Sequence, residues 1–375
     1  MNGRDDMPIA SPAGIHLRNS GIASDLADRL TSLGLSAHID TTSLPGGRGT
    51  VFALNEAAAK ELAPDADTLQ LCAKLGFDPT GSADDLEREI LLALMLSPIR
   101  FEYQNYAELA SAVNVRKNIV AAARKTVLAF DTTWAAERPE DCWTFSDGKG
   151  FTVLPGKPLI EALRKATQPE VSGKLYAFSC YRATEYVILL GLAEELERSN
   201  PHLLARLQRQ WETRAIKSGA FHAMFLVEYG SLAAPLPLRH YVPGDRLWFR
   251  NPDNRSSDID GYEGSWVFYL GNGLFSNFWK MGQAYTLSSK CLEIYHWRNG
   301  VHGAPDGSLR MDEALVDERV QASLKNPDEV QEILGQMMRW REPQGVYVAG
   351  GCIDTSREYP RSIHPGASEF PLPDA

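Results

Sequence analysis

An α+β fold is predicted by three features of the sequence. Apolar residues recur at helical spacing up to about residue 216, and apolar and polar residues alternate after residue 220. Asn272-Gly273 then joins two of the alternating runs as a tight hairpin. Helices first and antiparallel strands second is the order of an α+β protein, with a helix laid on the sheet to bury both apolar faces.

Residues 1–18 are polar with Pro and Gly and read as a flexible arm. Residues 19–95 read as a small α/β appendage. "IASDLADRLTSLG" is helical and stops at a glycine, "LSAHIDTTSL" is extended into the "PGGRG" turn, and "ALNEAAAKEL" is helical again. "SADDLEREILLALML" opens with a Ser82…Asp85 cap and ends before Ser97-Pro98, the expected boundary of a main domain over 96–365. In that domain "YAELASAVNVRKNIVAAARKTVLAF", "GKPLIEALRKAT", residues 174–198 and "PHLLARLQRQWETRAI" are expected helices. "FHAMFLVEY", "DRLWFRNP", "GSWVFYLGNG", "LFSNFW" and "CLEIYHW" are expected strands. "PDEVQEILGQMMRW" is a late helix, "GVYVAGG" a last strand, and residues 366–375 a tail.

The formal charge of −10 argues against nucleic acid and against an anionic membrane surface, both of which select basic proteins. The five cysteines are scattered, with no CxxC pair and no Cys/His set at zinc spacing, so neither a metal nor another cofactor is expected. A disulfide framework is equally unsupported, which fits a reducing compartment. The N-terminus lacks an apolar signal core. A cytoplasmic location is therefore expected, with export by a route that needs no signal peptide left open.

One short stretch carries chemistry. In "LYAFSCYRATEYVILLGLAEELE" Cys180 stands where a helix begins, at the positive end of the helix dipole, which favours thiolate. A nucleophilic cysteine on a helix followed by an antiparallel sheet is the layout of papain-like thiol proteins. "GDRLWFRNP" and "WVFYLGNGLFSNF" resemble the sheet portion of the compact NlpC-type peptidases. A longer resemblance joins "SPIRFEYQNYAELASAVNVRKNIVAAARK", "KLYAFSCYRATEYVILLGL" and "HYVPGDRLWFRNP", in that order, to the spore-coat-type transglutaminases, the bacterial protein-glutamine gamma-glutamyltransferases.

That resemblance implies a papain-like, NlpC-type core. It also implies a cysteine thioester formed from a glutamine side chain, a protein or peptide glutamine donor and a primary-amine acceptor. Cys180 takes the nucleophile's place. The family's carboxylate beside the cysteine is Ser179 here, its sheet glutamate is Ser265, and its histidine is Asn277. The usual proton acceptors are thus replaced. Glu263 is the best substitute, because residues two apart on a strand share a face. Asn277 would align a base or donate to an oxyanion. His240 would orient a partner in the cleft or be a buried structural histidine. Tyr181 and Trp266, with Tyr176, Phe178 and Trp248, would wall a slot or belong to the core. Three readings stay open: an acyltransferase, a glutamine deamidase or amidase resolved by water, and a binding protein that kept the fold and lost the base. The appendage would regulate access or dock a partner protein.

Overall fold

The computed structural model describes residues 13–19, 23–130, 137–305, 307–342, 350–366 and 372, and its architecture is α+β as expected. A six-stranded antiparallel sheet runs in the order Tyr285–Thr286, Leu274–Phe275, Gly264–Gly271, Arg246–Arg250, Ser356–Pro360 and Leu226–Gly230. Its two faces belong to different cores. Phe268 and Leu270 enter the large cluster that holds the helices Tyr106–Lys125 and Cys180–Ser199. Val267 and Tyr269 enter a second cluster beneath the helix Leu287–Gly300. This is the alternation of side chains along a strand, and it decides which residues flank the cysteine.

The helix Cys180–Ser199 is buried on every side from Ala183 to Ala193, rather than amphipathic. Its crossing with Tyr106–Lys125 is close at Gly191, where a Cβ would lie 2.6 Å from Ile119 Cγ1. The Asn118 amide donates to the Gly191 carbonyl at 3.2 Å. Only glycine allows that approach, so the helix that begins at Cys180 is held in one place along the core.

A second sheet orders Ile39–Ser43, Thr50–Leu54, Ile15–Leu17 and Phe101–Tyr103. Ile15–Leu17 is wholly buried in it, so the arm expected over 1–18 is not loose there; residues 1–12 lie outside the described residues. Phe101–Tyr103 comes from beyond Pro98 and pairs in parallel with Ile15–Leu17. Segments 19–95 and 96–365 therefore share a sheet as well as one continuous apolar cluster.

Other expectations are corrected. Residues 291–297 are helical, within Leu287–Gly300, whose start is closed by reciprocal Thr286 and Ser289 bonds. Seven residues are too short a window to separate the two periods, and the cap decides. "FHAMFLVEY" divides into a helix, Ser218–Phe225, and a strand, Leu226–Gly230. "LFSNFW" is a strand only over Leu274–Phe275. The strand expected at 345–351 falls mostly outside the described residues. The sheet takes Ser356–Pro360 instead.

The Asn272-Gly273 turn is anchored from the appendage. Glu89, fully buried in the helix Ala83–Leu96, accepts from the Tyr269 hydroxyl at 2.7 Å and from the Asn272 N–H at 3.0 and 3.1 Å. Burial pushes the Glu89 carboxyl above the usual carboxylate range. Glu89→Ala, which strands both donors, is expected to cost about 3 kcal/mol, and Glu89→Gln, which retains an acceptor, less. Urea midpoints at unchanged slope check this.

Candidate active site

Ser179 and Cys180 form the helix start. Ser179 has extended backbone, and its Oγ accepts from the Arg182 N–H at 3.3 Å. This is an N-cap. The serine that replaces the family carboxylate therefore finishes the helix end. Cys180 is half-buried and a free thiol.

The main-chain amides of Trp266 and Tyr181 favour the thiolate form of its sulfur. Strand geometry explains the first. The Phe268 N–H donates to Ser276 Oγ at 2.9 Å, away from the Arg246–Arg250 strand. The Trp266 N–H, two residues earlier, points from the same edge, past the end of the short strand Leu274–Phe275. Cys180 occupies that uncovered edge. It lies at the side of the Gly264–Gly271 strand, with residues of both faces around it.

Burial is the largest influence on the thiol and pushes it above its ordinary value. The two amides and the Lys290 ammonium favour the thiolate, and the Glu263 carboxylate opposes it. The helix-terminus argument from the sequence thus has the right sign for one contribution, but burial outweighs it. The resting sulfur is a thiol, and attack requires something to take its proton.

Glu263 is exposed, directly before the strand, and its Oε2 accepts from the Gly261 N–H at 3.0 Å. Of the expected residues it is the carboxylate whose charge acts on the sulfur. Ser265 is buried opposite Phe249. Strand parity places it on the face of Val267 and Tyr269, the same face as Glu263. Asn277 is half-buried and spends its Oδ1 on the Trp279 N–H at 3.1 Å.

His240 lies elsewhere. It is fully buried, with Arg357 and Arg116 as charged neighbours, and burial lowers it to about 3, so it stays neutral. Around it, the Tyr241 N–H donates to Thr68 Oγ1 at 2.8 Å and the Thr68 N–H donates to the Arg239 carbonyl at 3.2 Å. His240 therefore sits where the appendage joins the sheet.

Tyr181 and Trp266 pack edge to face at 5.3 Å, with Trp248 stacked on Trp266 at 6.1 Å. The Arg246 guanidinium lies 5.0 Å from the Tyr181 ring and 4.6 Å from the Trp266 ring. From behind, Arg246 is held by Glu358 and by Thr184 Oγ1 at 3.3 Å. Phe178 belongs to the core, with the Arg138 guanidinium 3.4 Å from its ring centre.

A second aromatic cluster was not read from the sequence. Phe130 pairs with Phe178 in a short parallel ladder and is 39% exposed. Its ring meets Tyr262 at 6.1 Å and Trp279 at 5.2 Å. Tyr262 in turn meets Trp297 at 5.2 Å. Lys290, on the same helix as Trp297, was missed as well. Spacing was the available signal, since Lys290, Glu293 and Trp297 share a face only at helical period.

A half-buried thiol at the start of a central helix, set against the free edge of an antiparallel sheet with a carboxylate at the strand's foot, defines a papain-type cysteine protein. Residues 70–354 match the protein-glutamine gamma-glutamyltransferase family, well over half of the chain, and the chain belongs to that family. It is 25% identical over 174 residues to a protein-glutamine gamma-glutamyltransferase of Bacillus subtilis, covering 44% of this chain and 62% of that protein. One from Halalkalibacterium halodurans is 24% identical over 224 residues, 56% of this chain and 69% of that protein. A solved transglutaminase from Geobacillus stearothermophilus, lacking its C-terminal extension, superposes with a TM-score of 0.38 at 21% identity, over 57% of this chain and 97% of that one.

Proposed function

We propose that this protein joins glutamine side chains to primary amines through a thioester on Cys180, with Glu263 as proton acceptor. Glu263 takes the thiol proton as the sulfur attacks the carboxamide carbon. The proton passes to the departing nitrogen, and ammonia leaves a thioester. An amine then attacks the thioester carbon and gives a proton to Glu263, which returns it to the leaving sulfur. The amide product and the thiol are restored with no net oxidation.

The observation that carries this reading is that the Trp266 and Tyr181 amides favour the thiolate of Cys180 while the Glu263 charge acts on the same sulfur from the foot of the adjoining strand. The Tyr181–Trp266 pair and the Phe130, Tyr262 and Trp279 cluster offer apolar surface to an extended side chain, and a bound donor that shields the thioester from water would favour amine as the second nucleophile. Incubation with a glutamine-containing protein and a fluorescent primary amine tests it. Covalent labelling that disappears in Cys180→Ala is the expected result. Ammonia release without labelling would establish a deamidase instead, and neither product would leave a binding protein.

A further inference from the structure

The helix Leu287–Gly300 carries a cation in an expensive place. Lys290 is 2% exposed and lies in the first turns of its helix, where burial and the helix dipole both disfavour a positive charge. It is ion-paired with Glu293 at 2.6 Å, and its Nζ stands 4.2 Å from the centre of the Tyr285 ring and 5.6 Å from that of Trp297. The other acidic groups nearby are committed elsewhere. Glu313 accepts from the Tyr262 hydroxyl at 2.7 Å, and Asp317 pairs with Lys280 at 2.7 Å. Glu293 also accepts from the Tyr285 hydroxyl at 2.9 Å, so its negative charge is shared.

This cluster adjoins the segment that carries Glu263. Trp297 packs on Tyr262, the residue before Glu263, and the helix covers the sheet face that carries Ser265 and Val267. Cys180 sits at the edge of that same strand. The charges of Glu263 and Lys290 act on its sulfur with opposite sign, and Arg246 stands behind the Tyr181 and Trp266 rings, paired with Glu358. Fold stability does not require a buried lysine here, because an apolar residue of similar length would pack on both rings without a desolvation cost.

We propose that the Lys290 ammonium is the fixed counter-charge of the Cys180 sulfur during acyl transfer, supplying from the Leu287–Gly300 helix the positive field that an imidazolium supplies in Cys/His sites. The inference rests on Cys180 being the nucleophile. Lys290 is a positioning residue, which acts on the sulfur through its field, while Glu263 exchanges the proton.

The test is the pH profile of iodoacetamide alkylation at Cys180, read by mass spectrometry, beside amine incorporation. Lys290→Met is expected to raise the alkylation midpoint by about one pH unit, and Lys290→Arg to keep it near wild type. Below the midpoint that is a loss of about tenfold in alkylation rate for Met. The sign separates this role from a structural one. A lysine that merely packed would, once removed, admit water and bring the midpoint down toward the ordinary thiol value. An unshifted or lowered midpoint overturns the proposal. If Lys290→Met fails to fold, Lys290→Gln against Lys290→Arg decides by the same signs. A raised midpoint in a protein whose wild type never incorporates amine would overturn the acyl-transfer reading and leave the hold of Lys290 on the sulfur intact. Incorporation with an unshifted midpoint would overturn the proposal alone.

Discussion

Amine incorporation is expected to vanish in Cys180→Ala and to fall about 10²- to 10⁴-fold in Glu263→Gln, the range for loss of a positioned general base. The glutamine keeps the size and one acceptor of the original side chain but cannot take a proton. Its effect on the thiol runs the other way. The Glu263 charge opposes the thiolate, so Glu263→Gln should lower the alkylation midpoint of Cys180 while turnover drops. A variant whose sulfur is more reactive toward iodoacetamide yet slower with a glutamine donor has lost proton transfer, not nucleophile. If incorporation stays within threefold of wild type, Glu263 is not the acceptor. If the midpoint rises, the carboxylate is not the negative group acting on the sulfur.

Asp245→Ala is expected to destabilise the protein by about 3–5 kcal/mol, the cost of leaving a buried charge without its partner. Arg116 and Asp245 are both buried, and Arg116 Nη1 donates to Asp245 Oδ1 at 2.8 Å. Burial acts against the Arg116 charge, and Asp245 more than restores it. The second carboxylate oxygen accepts from the Val242 N–H at 2.9 Å and from the Tyr229 hydroxyl. Three segments thus meet at one carboxylate. Arg116→Met combined with Asp245→Asn, which removes both charges and keeps an acceptor for Val242 and Tyr229, should recover part of the loss. Denaturation midpoints of the two single variants and the double check this, and equal losses in single and double variants would show that the charge pair is not the cause.

This pair explains why "GDRLWFRNP" stands out in the sequence. Gly244 has φ +87°, and a Cβ there would lie 2.9 Å from Arg116 Cα. Glycine is needed for the close approach, and Asp245 locks it. The motif that carries much of the family resemblance is a junction between the long helix and the sheet, and its Arg246 and Trp248 also pack against Trp266. Its position alone does not reveal this, because Arg116 lies far away along the chain.

Much of the protein was nevertheless legible. Ser179 before Cys180, Ser82 before Asp85 and Asn272-Gly273 each act through neighbours a few residues away, and each does what its local chemistry demands. The α+β order, the cysteine at a helix start and the place of Glu263 before a strand followed from such signals. His240 could not be resolved in the same way. Its neutrality comes from complete burial beside Arg116 and Arg357, which are distant in sequence.

The sequence by itself determined where the helix of Cys180 begins, which strands form the hairpin beside it and which carboxylate stands at the strand's foot, because capping, turn geometry and side-chain alternation are short-range. Only the tertiary structure decided that burial outweighs the helix terminus at Cys180, that the Lys290 charge acts on the sulfur and that Phe130 meets Tyr262 and Trp279. Desolvation and Coulomb fields depend on what is packed nearby in space, and the residues that set them come from strands and helices far apart along the chain.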